Sequence, residues 1–167
     1  MWSGLPSEGP RSSGSKTHGR AWGAVFLGEH QHTLDAKGRV ILPARFRDRL
    51  SSGLVFAPSQ DRCIDVYPLT DFERRVEELR AVPREDQRAR AYLRVFLAGA
   101  HEEKPDAQGR VTIPTRLRSY AELDRDLTIN GADVKVEIWA REVWERYRTE
   151  AEDAFANLDR PFLQGAS

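Results

Sequence analysis

Cysteine is almost missing from this chain of 167 residues, and Cys63 is the single one. One thiol excludes a disulfide framework within the chain and fits a reducing cytoplasm. Long apolar runs are missing as well. Nothing approaches the roughly 18 to 20 residues that a membrane-spanning helix requires. Net charge is also absent, since 26 basic residues offset 26 acidic ones. That balance argues against wholesale polyanion binding, although the local field, not the total, decides a contact. The chain shows no glycine-rich phosphate loop, no dinucleotide-binding glycines, no nucleophile elbow and no His/Cys metal array. No catalysis, cofactor or small-molecule substrate is expected. His30 and His32 lie two apart on a predicted strand and share a face, but no third ligand stands at useful spacing. They are read as ordinary strand residues, with no metal.

What the chain does contain is one stretch written twice. Asp35-Ala36-Lys37-Gly38-Arg39-Val40-Ile41-Leu42-Pro43-Ala44 returns as Asp106-Ala107-Gln108-Gly109-Arg110-Val111-Thr112-Ile113-Pro114-Thr115. Both copies run on into Arg-x-Arg, as Arg45 and Arg47 and as Arg116 and Arg118. The offset is a constant 71 residues without a gap, which means one structural unit used twice. Asp35 and Asp106 suit a turn because their carboxylates accept backbone N–H groups two residues on. Gly38 and Gly109 tolerate the positive φ that such a turn needs. Val40 and Leu42 alternate with Arg39 and Ile41 as a short strand would. Pro43 and Pro114 then end the strand and suit the first turn of a helix.

The chain in order predicts two similar halves. Residues 1–24, rich in Gly, Ser, Pro and Arg, are expected to form a disordered extension without an export signal. The first unit spans 25–82: a strand over 26–34, the repeated turn and strand, a short helix over 43–50, a strand pair over 54–57 and 63–67, and a helix to about 80. Thr70 is expected to cap that last helix, with Glu73 completing a capping box. Val82-Pro83 breaks the chain, and a second unit spans 83–160. It opens with a helix over about 84–98 whose apolar face is Ala91, Val95 and Ala98, widened by Leu93, Phe96 and Leu97. A strand over 100–105, the second turn, a helix over 114–123 and a hairpin around Asn130-Gly131-Ala132-Asp133 follow. The last helix covers 141–158, with Val143, Trp144, Tyr147, Ala151 and Phe155 on one side and the acidic residues gathered on it. Residues 161–167 are expected to form a frayed tail. The class is α+β.

This pattern of strand, Asp-x-(Lys/Gln)-Gly-Arg-Val-x-(Leu/Ile)-Pro and Arg-x-Arg resembles the DNA-binding unit of the AbrB/SpoVT superfamily. Its tandem use, with a strand pair and helix after each copy, is similar to the MraZ family over about residues 25–158. The resemblance implies a swapped-hairpin β-barrel formed by both repeats of one chain, an intramolecular pseudo-dimer flanked by helices. It also implies a ring-shaped homo-oligomer and regulation of transcription in the cytoplasm, at the nucleoid. The implied target is double-stranded DNA, as short direct repeats in the promoter of the division and cell-wall gene cluster that includes the protein's own gene. Val25-Phe26-Leu27-Gly28 resembles a family start, so Val25 is expected to be the initiation residue.

The residues themselves support a DNA-binding reading. Between Asp35 and Arg49 stand five basic and two acidic residues, a local net of +3. Arg39 offers a planar fork suited to guanine O6 and N7, and Arg110 is its counterpart. Lys37 suits phosphate as a mobile point charge. Arg45 and Arg47 stand where a helix dipole does not favour cations, which fits phosphate contact or simply solvated side chains. The competing reading pairs the arginine heads with Asp35 and Asp106 and leaves them structural. The second copy, with Gln108 in place of Lys37 and Glu102 and Glu103 before it, is expected to bind phosphate less well and to serve mostly as a barrel half. An antitoxin that binds a toxin and its own operator is the alternative function.

Overall fold

A computed structural model describes residues 25–158 of the chain. The expected disordered extension over 1–24 and the tail over 161–167 lie outside the described residues. Thirteen elements are formed: β1 Glu29–Thr33, β2 Arg39–Ile41, α1 Ala44–Leu50, β3 Leu54–Pro58, β4 Ile64–Pro68, α2 Leu69–Arg80, α3 Gln87–Gly99, β5 His101–Glu103, β6 Arg110–Thr112, α4 Thr115–Tyr120, β7 Asp126–Ala132, β8 Lys135–Ala140 and α5 Arg141–Asn157. The class is α+β, with every strand pair antiparallel.

The pairing exchanges strands between the repeats. β1, from the first repeat, pairs with β7 of the second, placing His30 opposite Ile129. β5, from the second repeat, pairs with β3 of the first, placing Val55 opposite Glu102. At the middle β4 meets β8, so one six-stranded sheet runs β1-β7-β8-β4-β3-β5. β2 and β6 form a separate two-stranded ribbon. Hydrogen bonding leaves the larger sheet open at β1 and β5, so the expected barrel is not closed by a continuous ladder among the described residues.

Side chains hold ribbon and sheet together. Val40, Leu42, Val111 and Ile113 of the motifs join Phe56, Ile64, Val66, Leu127, Ile129 and Ile138 in one buried cluster, with Phe46 and Leu117 from the two short helices. A second cluster on the outer face packs Phe96 of α3 with Tyr67 and Leu79. The motif residues therefore bury their alternate side chains in a core that both repeats supply. At about 1.5–3 kcal/mol for each large apolar side chain buried, this shared core ties the halves into one folding unit.

Several boundaries differ from the sequence expectations. Phe26 makes only an isolated bridge to Asp133, so the first strand is shorter than predicted. Pro68, not Thr70, stands at the N-cap of α2, and no side-chain cap forms there. Its fixed φ already suits a helix entry, and Thr70 falls inside the helix. α3 begins at Gln87 because the Asp86 side chain accepts the Arg88 N–H and sets the start three residues late. Its buried side is Phe96, with Tyr92 and Leu93 partly buried; Val95 is 55% exposed and Leu97 46%. α4 stops at Tyr120, and Glu122 takes φ 53°, which ends the helix before Leu123. β7 continues to Ala132, so the reversal falls at Asp133-Val134, with Asp133 at φ 67°. α5 buries no residue fully: Trp144 and Tyr147 lie on Trp139, but Phe155 is 81% exposed.

Candidate nucleic-acid interface

The two repeated turns build the same local geometry. Asp35 Oδ1 accepts the backbone N–H of Lys37 and of Arg39, each at 2.9 Å, and Asp35 Oδ2 accepts Arg39 Nε–H at 2.8 Å. Asp106 repeats this with Gln108 N–H, Arg110 N–H and Arg110 Nε–H at 2.9, 2.9 and 2.8 Å. Gly38 and Gly109 both take φ 77°, a value that favours glycine. The Arg39 and Arg110 N–H groups are the first cause holding the Asp35 and Asp106 carboxyls below the usual carboxylate range; the guanidinium of each arginine adds to it. Both arginine–aspartate pairs are exposed, so they orient the side chains more than they stabilise the fold.

The turns lock across the pseudo-twofold between repeats. The Leu42 N–H donates to the Gly109 carbonyl at 2.9 Å, and the Ile113 N–H donates to the Gly38 carbonyl at 2.8 Å. The same exchange is made by side chains. Arg118 of the second repeat lies on Gly38, where an added Cβ would stand 2.7 Å from its Cζ. Arg47 of the first repeat lies on Gly109, with the matching distance to its Nε also 2.7 Å. Arg47 Nε–H further donates to the Leu42 carbonyl at 2.9 Å. Each turn is thus held by the opposite repeat, and neither copy forms its surroundings alone.

The ribbon sets the outward side chains. Arg39 stands opposite Thr112, Val40 opposite Val111 and Ile41 opposite Arg110. Val40 and Val111 are 1% and 2% exposed, so alternation turns Arg39, Ile41, Arg110 and Thr112 outward together. Each outward arginine uses Nε on its own aspartate. Among the described residues its two Nη groups have no hydrogen bond, which leaves the fork for a planar acceptor pair. Lys37, next to β2, and Arg45, on α1, are exposed, and Gln108 occupies the position equivalent to Lys37. The structure therefore brings Lys37, Arg39, Arg110 and the turn residues together at one end, and it places Arg47 against the opposite turn.

Sequence reasoning passed over Arg118, Ile41 and Thr112. The offset of 71 residues held the signal for Arg118, as the twin of Arg47. Strand alternation held it for the other two. His30 packs edge-on against Phe46, ring centroids 5.1 Å apart. Burial, and then the charges of His30 and Arg47, lower the His32 pKa. The one trio of potential metal ligands among the described residues is elsewhere, at Cys63, Asp65 and Glu137. Lys135 Nζ already occupies it, at 2.7 Å from Asp65 and 3.3 Å from Glu137, and burial pushes the Cys63 thiol far up. No helix among the described residues is long and apolar enough to cross a membrane.

The chain is similar to known proteins over most of its length. A family model described as "MraZ protein, putative antitoxin-like" matches twice, over residues 25–95 and 96–164. A protein of Salinispora arenicola (strain CNS-205) named transcriptional regulator MraZ is 54% identical over 141 residues, covering 84% of this chain and 99% of that protein. Proteins of the same name from Salinispora tropica and Kineococcus radiotolerans are 53% and 50% identical over the same share of each chain. With both repeats matched by the family model and near-complete coverage of relatives at this identity, the chain belongs to the MraZ family.

Proposed function

We propose that the chain is a sequence-specific DNA-binding regulator of transcription and that the β2–β6 ribbon is its reading element. One observation carries this: a two-stranded ribbon presents Arg39 and Arg110 outward, each aimed by an aspartate and each with its fork unengaged. The major groove of B-DNA admits such a ribbon, and arginine forks pair with guanine O6 and N7. Lys37 and Arg45 supply phosphate contacts at its flanks, while Arg47 adds charge from its place on the opposite turn. The relatives' name, transcriptional regulator, agrees with this reading. The strand exchange agrees with a swapped-hairpin barrel made by two units of one chain, 25–82 and 83–160.

The target in this reading is a set of short direct repeats in the promoter of the division and cell-wall gene cluster, including the protein's own gene. One ribbon with a few contacts gives salt-sensitive affinity on the order of 10⁻⁴ to 10⁻⁶ M. A ring of several copies facing spaced repeats gains roughly 10² to 10⁴-fold through effective concentration. The protein then works in the cytoplasm at the nucleoid, without catalysis or cofactor. The test is a binding titration on duplex DNA from upstream of its own gene, wild type against Arg39→Ala. Loss of binding in the variant supports the reading; equal binding by both removes Arg39, and no binding by wild type removes the function. A toxin co-purifying in stoichiometric amount would move the assignment to an antitoxin, the role the family description names.

A further inference from the structure

The outward face of the ribbon carries one apolar residue beside its arginines. Ile41 is 46% exposed and stands in register against Arg110, two residues along the same face from Arg39. Thr112, its twin at the offset of 71, stands against Arg39. The four outward residues thus form a square with arginines on one diagonal and Ile41 and Thr112 on the other. The arginine diagonal obeys the pseudo-twofold, and the other diagonal breaks it.

We infer that Ile41 determines base specificity by packing on the C5-methyl of a thymine beside the guanine that Arg110 reads. The inference rests on the DNA-binding reading above and specifies the partner of that same face. An aliphatic side chain offers neither donor nor acceptor, and the thymine methyl is the apolar feature of the major-groove base edges. Against cytosine N4 or adenine N6, Ile41 strips water from a polar group and returns no hydrogen bond, so the wrong base is penalised as well. Cross-strand neighbours stand about 5 Å apart at Cβ, close enough for Arg110 and Ile41 to engage adjacent bases. Thr112 carries both a methyl and a hydroxyl and accepts thymine or a polar base edge. The ribbon therefore reads strictly at the Ile41–Arg110 row and permissively at the Arg39–Thr112 row, and it favours an asymmetric site.

The experiment uses the full chain and a duplex that wild type selects from a random-sequence pool. Each thymine of the selected duplex is replaced singly by uracil, which removes only the C5-methyl. Wild type is expected to bind about fourfold more weakly at one such position, the effect of one buried methyl-sized group. Ile41→Ser is expected to lose a similar factor on the unmodified duplex and to lose nothing more at that uracil, because the two changes remove the same contact. Ile41→Val keeps most of the methyl dependence. A thermal midpoint for Ile41→Ser matching wild type assures that the fold is intact. Tight binding by wild type that ignores every uracil overturns the inference, as does methyl dependence that persists in Ile41→Ser. Failure of the underlying reading looks different: wild type then selects no duplex at all.

Discussion

In the first turn Asp35 takes two backbone N–H groups at 2.9 Å and an arginine Nε at 2.8 Å; in the second, Asp106 does the same at the same distances. The glycines share φ 77°, and each turn is bound by the other repeat through one backbone bond and one arginine. Across the turn and ribbon, residues 35–41 and 106–112, two outward positions differ between copies: Lys37 against Gln108, and Ile41 against Thr112. Backbone geometry was kept while the side chains that face outward diverged. An interface built this way carries two equal arginine anchors with unequal surroundings.

The largest effects are expected at the two arginines. Arg39→Ala and Arg110→Ala are each expected to weaken specific DNA binding by roughly 5- to 150-fold, the worth of a bidentate guanine contact of about 1–3 kcal/mol. Equal losses, read by titration on one selected duplex, mean that both copies read bases. A loss confined to Arg39→Ala restores the expectation that the second copy serves mostly as a structural half. Next come the glycines. Alanine at φ 77° costs about 1–2 kcal/mol, and the added Cβ also crowds Arg118 at Gly38 and Arg47 at Gly109. Gly38→Ala and Gly109→Ala should lower stability alike in denaturant titrations. Unequal losses would show that one cross-repeat clamp is weaker than its twin.

The turn and its neighbours were legible because their causes are local. Asp bonding two residues on, Gly at positive φ and Pro after the strand are fixed by residues within a few positions of one another. The periodicity also gave the strands and most helices, with errors at the ends: Asp86 outcompeted the expected start of α3, and Pro68 displaced Thr70 as the entry to α2. Strand exchange was not legible from periodicity, because alternation says which face is buried and nothing about which strand lies beside it. The resemblance supplied it instead. Arg47 shows the remaining limit. From sequence it was a cation on a short helix, and only the pairing of β2 with β6 brings it onto Gly109.

A smaller effect separates the copies at Lys37 and Gln108. Lys37→Gln should lower the slope of log affinity against log salt by about one, as expected for one phosphate contact removed. Gln108→Lys should raise it by about one and make the two flanks alike. No change in either variant would place the lysine away from phosphate and leave Arg45 as the flanking cation.

The smallest effect is the pH dependence of the turns, and it tests whether Lys37 also serves the fold. Both carboxyls are held below their ordinary range, first by the following arginine's backbone N–H. A depressed folded value contributes stability that is fully present above the unfolded pKa of about 3.9 and is lost as pH falls through the folded value. Asn at either position keeps an Oδ1 acceptor for the backbone groups but removes the charge together with the Oδ2 acceptor of the arginine Nε–H. Asp35→Asn and Asp106→Asn should therefore melt below wild type near pH 6, with the gap closing as pH falls below the unfolded value and through the depressed folded one. The gaps should be small, because both pairs are exposed and screened. Equal gaps mean that the Lys37 charge adds nothing to its turn, which leaves that charge for a phosphate. A wider gap for Asp35→Asn would instead assign part of Lys37 to holding the first turn, and the change in salt slope expected for Lys37→Gln would shrink accordingly.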